Sequence, residues 1–221
     1  MNVTIYDPTP VTLPDRAMPS GALRLLFLSI EEVMGREGIK AVLNGAKLSH
    51  YINNYPPNSL ELGVTFSEYG HVEQAVEDFL GPRGARAILI RVGREIFRYG
   101  LREQSAVLGI AGNALKNMPL ISTQAKMKIL LQQIVAAANK TVNQPARLEE
   151  DDESFRIVIN QCMCQFRPRH PAPCCLVTVG TFSEAMKWLT DKQIQVKEIT
   201  CLNLGADACR YSIPKKMPDD V

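Results

Sequence analysis

The stretch 173-PCCLVTVGTFSEAMKWLTDKQIQVKEITCLNLGADACRYSIPK-215 decides the fold, because it combines a helical pattern, a hairpin pattern and four cysteines. All six cysteines of the chain lie between Cys162 and Cys209. The loop between Cys201 and Cys209 centres on Gly205 and is flanked by strand-like residues, which predicts a hairpin. Directly opposed residues have Cβ atoms about 4.5–5.5 Å apart. The two thiols are therefore predicted to face each other, where they can chelate one metal ion or form a disulfide.

The segment after Pro173 predicts a helix from Cys174 to Thr190, because apolar residues recur there at steps of four and three. The apolar stripe begins at Cys175, and Cys174 lies about 100° away around the helix. A helix N-terminus lowers the pKa of a thiol, and the thiolate is the form that binds metal. Cys175 is therefore predicted to be the better metal ligand of the two.

The stretch 155-FRIVINQCMC-164 begins as an alternating strand, and strict alternation turns Cys162 and Cys164 away from the apolar face. A bulge or twist at the strand end would be needed to turn one of them inward. His170, in the loop before the helix, is a further candidate ligand. Thiolates, with or without one histidine, select zinc over magnesium or calcium, and four protein ligands make a closed, structural site. Buried, non-ligating cysteines and a redox pair remain the alternatives.

The pattern resembles the 4-vinyl reductase domain family. The resemblance covers about residues 155–213 and rests on four elements: the strand ending at Cys162 and Cys164, Pro173-Cys174-Cys175 with Gly180, Val196 to Cys201, and Gly205 to Tyr211. Relatives of that family include the aromatic-sensing domains of bacterial transcription regulators, bacteriochlorophyll-biosynthesis proteins and the subunits of the TRAPP tethering complex. The resemblance implies the α+β ligand-binding fold of NO-signalling and Golgi-transport domains, an apolar cavity and a homodimer.

In the aromatic sensors the resemblance further implies a zinc site made of three cysteines and a glutamate. The cysteines carry over to Cys175, Cys201 and Cys209. The glutamate is expected from the strand before the helix, where this chain has cysteines instead. The predicted zinc ligands are therefore Cys162, Cys175, Cys201 and Cys209, with Cys164 and His170 as alternatives for the fourth.

The 221 residues are predicted to form one domain with an arm. Residues 1–20 contain four prolines and are interpreted as an extended arm, residues 21–213 as the domain, and residues 214–221 as a tail. The domain divides into a helical part, 21–145, and a cysteine-rich part, 154–213. A net charge of +2 does not call for direct nucleic-acid binding. No apolar run is long enough to span a membrane, and we expect a cytoplasmic protein.

The fold class predicted is α+β, with a helical N-terminal half packed against one antiparallel sheet that ends in the cysteine-bearing hairpin. Acidic residues concentrate in 146–153, which is interpreted as a solvated linker between the two parts. The predicted helices are 22–34, 39–43, 69–80, 84–101, 108–118, 122–138 and 174–190. The predicted strands of the single sheet are 60–66, 155–163, 194–201 and 209–213.

The sequence favours binding over catalysis, because it contains no dinucleotide fingerprint, phosphate loop, nucleophile elbow or metalloprotease motif. The leading hypothesis is a module that binds an apolar small molecule, aromatic or tetrapyrrole, and acts through a partner protein. A carrier or vinyl reductase accessory protein of the tetrapyrrole (bacteriochlorophyll) pathway and an assembly subunit without ligand are the alternatives. The predicted pocket wall, which could equally be filled core, consists of Phe66, Ile88, Val92, Ile96 and Phe182.

Overall fold

The structure, a computed structural model, describes residues 14–103 and 115–216. Long helices and two antiparallel sheets make up this part of the chain, so the predicted α+β class is confirmed. The helices are α1 Ser20–Gly45, α2 Phe66–Glu103, α3 Thr123–Ala137 and α4 Leu176–Thr190. The strands are β1 Ala17–Pro19, β2 Leu62–Thr65, β3 Ala146–Glu150, β4 Ser154–Ile159, β5 Lys197–Thr200 and β6 Cys209–Pro214.

Glycines break the two long helices where the sequence predicted interruptions. Gly35 in α1 and Gly81 in α2 have φ values of 75° and 71°, a conformation that glycine adopts without steric cost. α2 therefore consists of two helical segments that meet at Gly81, where the backbone is not helical, as the sequence predicted. Ser122 caps α3, since its hydroxyl accepts a hydrogen bond from the Ala125 N–H at 3.2 Å.

The larger sheet has the strand order β3-β4-β6-β5, and all of its pairs are antiparallel. The prediction that strand 60–66 belongs to this sheet was wrong: β2 pairs with β1 in a separate two-stranded sheet. Its place is taken by β3, which lies within the stretch interpreted as an acidic linker. β3 is an edge strand, where charged side chains are common because they discourage pairing with another chain.

Three predicted features fall wholly or partly outside the described residues. The predicted arm, 1–20, is described only from residue 14; its residues 17–19 form β1 and Ser20 begins α1. The predicted helix 108–118 falls mostly in 104–114, and the predicted tail is described only as far as residue 216. In residues 14–103 and 115–216, no helix is both long enough and apolar enough to cross a membrane.

Two apolar cores form, one on each side of the crossing between α2 and α4. The first joins α1, β2 and much of α2, and the second joins α3, α4, the four-stranded sheet and all six cysteines. The helices touch backbone to backbone where they cross. A Cβ atom on Gly93 would overlap the Val177 carbonyl, and one on Gly180 would overlap the Ile90 carbonyl. These glycines allow α4 to lie against α2, which sets the position of its first turn.

Candidate functional site

Three chain segments, with two cysteines each, bring the six cysteines into one buried cluster. β4 ends at Ile159, and the short 3-10 turn Met163–Phe166 follows, so the chain leaves the strand alternation before its two cysteines. The segment before α4 brings the second pair, and the β5–β6 hairpin brings the third, with Gly205 at φ 88° in its turn. None of the six forms a disulfide. The buried cysteines are Cys162, Cys164, Cys174, Cys175, Cys201 and Cys209.

Neighbouring sulfur atoms in the cluster lie at contact distance. The Sγ–Sγ separations are 3.6 Å for Cys164–Cys209, 3.7 Å for Cys162–Cys175, 3.8 Å for Cys175–Cys209, and 3.9 Å for both Cys174–Cys201 and Cys164–Cys201. The predicted convergence of Cys175, Cys201 and Cys209 is therefore present, and the other three cysteines join it. Cys164, an alternative for the fourth ligand, and Cys174 are part of the same cluster.

The potential ligand atoms form three overlapping sets of four, and within each set all atoms lie within 4.8 Å of one another. We call them set A, which is Cys162, Cys164, Cys175 and Cys209; set B, which is Cys164, Cys174, Cys175 and Cys201; and set C, which is Cys175, Glu198, Cys201 and Cys209. Cys175 belongs to all three. No set contains both Cys162 and Cys201. The four ligands predicted from the sequence therefore do not coincide with a single set.

Glu198 on β5 is the functional candidate that the predicted ligand set omitted. One carboxylate oxygen accepts the Cys175 N–H at 2.9 Å, and the other is buried without a hydrogen-bond partner among the described residues. Burial, with the neighbouring Cys201 thiolate, raises the pKa of Glu198 to about 8. An unpaired buried oxygen beside thiolates is costly unless a cation neutralises it. Glu198 lies on the strand after the helix, whereas the resemblance implied a glutamate on the strand before it.

The thiols polarise one another. Hydrogen bonding with Cys164 lowers the pKa of Cys162 and also that of Cys201. The sequence predicted a lowered pKa for Cys175 at the helix start. Instead, its hydrogen bond with Cys162 raises the pKa of Cys175. Thiolates together with one carboxylate are a donor set that suits zinc better than magnesium or calcium.

His170 belongs to a different network. Its Nε2 lies 3.1 Å from the Glu77 carboxylate and 3.1 Å from the Arg167 guanidinium, while Nδ1 lies 2.7 Å from the Pro168 carbonyl. None of the three ligand sets includes it. Arg167 links this network to the cluster, because its guanidinium donates to the Cys174 carbonyl at 2.9 Å. His170 thus serves an ion-pair network next to the cluster.

A cavity of about 400 Å³ lies beside the cluster. It is bounded by α1, α2, α3, α4 and the four-stranded sheet, and its wall is mostly apolar. Representative lining residues are Leu25, Phe97, Ile134, Ile157 and Trp188. Among the described lining residues, Arg24 is the one with a charged side chain, and it donates to the Pro56 carbonyl at 3.1 Å.

The predicted pocket residues divide between this wall and the filled core. Ile96 and Phe182 line the cavity. Phe66 and Val92 are instead buried in the first core, and Ile88 packs against that core, so their assignment to the pocket wall is corrected. Helical periodicity identifies an apolar face but does not tell whether a cavity or another side chain lies against it.

The cavity and the cysteine cluster share structural elements. The first turn of α4, which follows Cys175, contributes Val177 to the cavity wall. The Phe182 ring, also in the wall, packs edge-on against the Tyr211 ring with centroids 5.3 Å apart. Tyr211 is paired with Glu198 across β5 and β6. The cluster and the cavity wall are therefore connected through α4 and β6.

The chain matches no protein-family model, and no match was found among curated proteins. These comparisons give no support to the resemblance to 4-vinyl reductases or tethering-complex subunits, which stays a prediction.

Solved structures are similar in fold. An H-NOX protein from S. oneidensis in the Fe(II)NO ligation state aligns with a TM-score of 0.57 and 16% identity, over 87% of this chain and 99% of that chain. An oxygen-binding H-NOX domain related to soluble guanylate cyclases aligns with a TM-score of 0.54 and 12% identity, over 90% and 96%. The phenol-responsive sensory domain of the transcription activator PoxR gives a TM-score of 0.47 and 17% identity, over 68% and 74%. This chain therefore has an α+β fold like that of H-NOX domains.

Proposed function

We propose that this chain is a binding module for an apolar, aromatic small molecule, with the cavity as its binding site and a thiolate zinc site that holds the cavity wall in place. The observation that carries the proposal is the cavity itself. Its volume of about 400 Å³ lies within the roughly 300–1,000 Å³ range of ligand pockets, and a mostly apolar wall with a few polar groups is typical of them. A binding module of this kind would act through a partner protein.

The lining favours a small aromatic ligand over a tetrapyrrole. The volume lies near the lower end of the range for ligand pockets. Phe97, Phe182 and Trp188 offer ring faces and edges for stacking. Arg24 offers one positive charge at the wall, which would suit a phenolic or carboxylate group on such a molecule.

Haem does not fit this cavity well, although a solved protein of similar fold has a haem whose redox potential is modulated by porphyrin distortion. Haem iron is held by histidine, cysteine, methionine or tyrosine. No histidine or cysteine is among the described lining residues, and burial raises the pKa of Tyr69 and of Tyr99, which disfavours the phenolate form. Met163, the methionine in the lining, uses its sulfur to accept a hydrogen bond from the Gln144 amide at 3.3 Å. We therefore propose a ligand without iron.

For the zinc ion we propose set C as the ligands, because Glu198 has a buried oxygen without a hydrogen-bond partner there. Four protein ligands close the coordination sphere, so the ion would be structural. It would pin the β5–β6 hairpin to the start of α4. That helix carries Val177 and Phe182, so the ion would fix part of the cavity wall.

The test is ligand binding by a pair of variants on α3. Ala137 lines the cavity, and Ala136, one position earlier, is exposed and absent from the lining. Ala137→Phe places a ring in the cavity, so we expect it to weaken binding of a fluorescent naphthalene sulfonate probe at least tenfold. Ala136→Phe adds the same ring to the same helix outside the cavity and should leave the affinity unchanged.

Fluorescence titration of the wild-type chain and both variants gives the affinities, with circular dichroism to verify folding. Competition by phenol and by longer aromatic compounds then ranks the ligand class. Absence of saturable binding to the wild-type chain would refute the proposal. Equal loss of affinity in the two variants would place the binding site elsewhere.

A further inference from the structure

The cluster contains more ligands than one tetrahedral ion uses. Six thiols and one carboxylate share the same buried volume, whereas a structural zinc ion takes four ligands. Sets A and C share two thiols, Cys175 and Cys209, and differ in the other two ligands of each. If one ion took set A and another took set C, the two ions would share the thiolates of Cys175 and Cys209. Each ion would then have two further ligands of its own.

The distances within set A match those around a tetrahedral ion. A Zn–S bond of about 2.3 Å places the sulfur atoms of a regular tetrahedron about 3.8 Å apart. The three shortest Sγ–Sγ separations in the cluster, 3.6, 3.7 and 3.8 Å, all belong to set A. The remaining separations at contact distance are 3.9 Å, and both involve Cys201. Set A is thus the most compact of the arrangements.

We propose that the cluster binds two divalent thiophilic ions. The first is the ion of set C, so the proposal builds on the proposed zinc site. The second is held by Cys162 and Cys164 as its own ligands and by Cys175 and Cys209, which bridge the two ions.

The charges support such a pair of ions. Five thiolates and the Glu198 carboxylate carry six negative charges, and two divalent ions supply four positive charges. Each ligating thiol releases its proton when the ion binds. The buried guanidinium of Arg167, whose side chain is 0% exposed, lies against the Cys174 carbonyl at the edge of the cluster, and its own charge is paired with Glu77 at 2.7 Å.

Cys174 is the internal control. It is buried in the same cluster, but it belongs only to set B. Its Sγ lies 3.9 Å from the Cys201 Sγ, and its carbonyl accepts a hydrogen bond from the Arg167 guanidinium. In a site built from sets A and C, Cys174 binds neither ion.

The experiment is a titration of the full chain with Zn²⁺, followed by native mass spectrometry. The wild-type chain is expected to bind two ions, Cys162→Ala/Cys164→Ala one, and Cys174→Ala two. Cd²⁺-loaded wild-type protein should give two cadmium NMR signals of equal area. The wild-type stoichiometry and the cadmium spectrum need no variant, so the test stands even if a variant fails to fold.

Saturation of the wild-type chain at one ion would overturn the two-ion site and leave the single zinc site and the cavity intact. Two ions in the double variant, or the loss of one ion in Cys174→Ala, would also overturn it, because either result would assign the second ion to other ligands. Failure to bind any ion would refute both metal proposals, whereas the binding of the aromatic probe tests the cavity independently.

Discussion

At the scale of single residues, Glu198 decides which four side chains hold the first ion. Glu198→Gln keeps the oxygen that accepts the Cys175 N–H at 2.9 Å but removes the negative charge. Removal of a carboxylate from the ligand set should weaken zinc binding by at least 10- to 100-fold, because mutation of even an outer-shell partner typically weakens metal affinity by that factor. Competition with a chromophoric chelator measures this affinity.

Glu149→Gln is the matched control, because Glu149 lies on the edge strand β3 with its side chain 40% exposed. It should bind zinc as the wild-type chain does. An unchanged zinc affinity in Glu198→Gln would instead favour a site made of thiols alone, set A or set B.

The sequence allows part of this site to be predicted, because local patterns fix where Cys175, Cys201 and Cys209 stand on their helix and hairpin. It also shows Glu198 on the same strand face as Val196, which is a signal for a paired or functional carboxylate. The contact between Glu198 and the Cys175 N–H could not be predicted, because it depends on how α4 is docked against β5. That docking is a tertiary property.

At the scale of elements, the crossing of α2 and α4 depends on Gly93 and Gly180. Gly93→Ala and Gly180→Ala each place a methyl group into the backbone of the opposite helix, so the helices must separate. Overpacking of this kind costs about 1–3 kcal/mol, and we expect the upper end here because backbone cannot move aside as a side chain does. Urea unfolding of each variant measures the change in the free energy of unfolding.

Gly100→Ala on α2 is the control for helix propensity. A Cβ at Gly100 meets no atom within 4 Å, so the variant should be more stable by about 0.5–1 kcal/mol. If Gly93→Ala were also neutral or stabilising, the close contact between the two helices would be disproved.

The sequence predicted the helices better than the pairing of the strands, for a physical reason. α3 and α4 have clear apolar periodicity, and α3 also has Ser122 as its cap, and these local signals were sufficient. β3 carries charges along an edge, and its pairing with β4 is set by the sheet and not by its own pattern. β2 alternates as a strand should, but alternation does not identify its partner, and that partner is β1.

At the scale of the whole molecule, the cluster joins segments that are far apart in sequence. The Cys164 and Cys209 sulfur atoms, 45 residues apart, lie 3.6 Å from each other, and both belong to the second core. The first core contains none of the cysteines. Metal binding should therefore stabilise one part of the molecule directly and the other only through the crossing of α2 and α4.

Removal of the metal by a chelator under reducing conditions should accordingly loosen the second core first. We expect faster amide hydrogen exchange in α4 and in strands β4, β5 and β6, and little change in α1. For a chain of this length, a loss of about 3 kcal/mol would lower the melting temperature by roughly 6–12 °C. Hydrogen exchange with mass spectrometry, before and after chelation and again after Zn²⁺ is restored, measures both the location and the reversibility of the change. Uniform loss of protection that includes α1 would mean that the two cores unfold together, and unchanged exchange would mean that the metal does not support the fold.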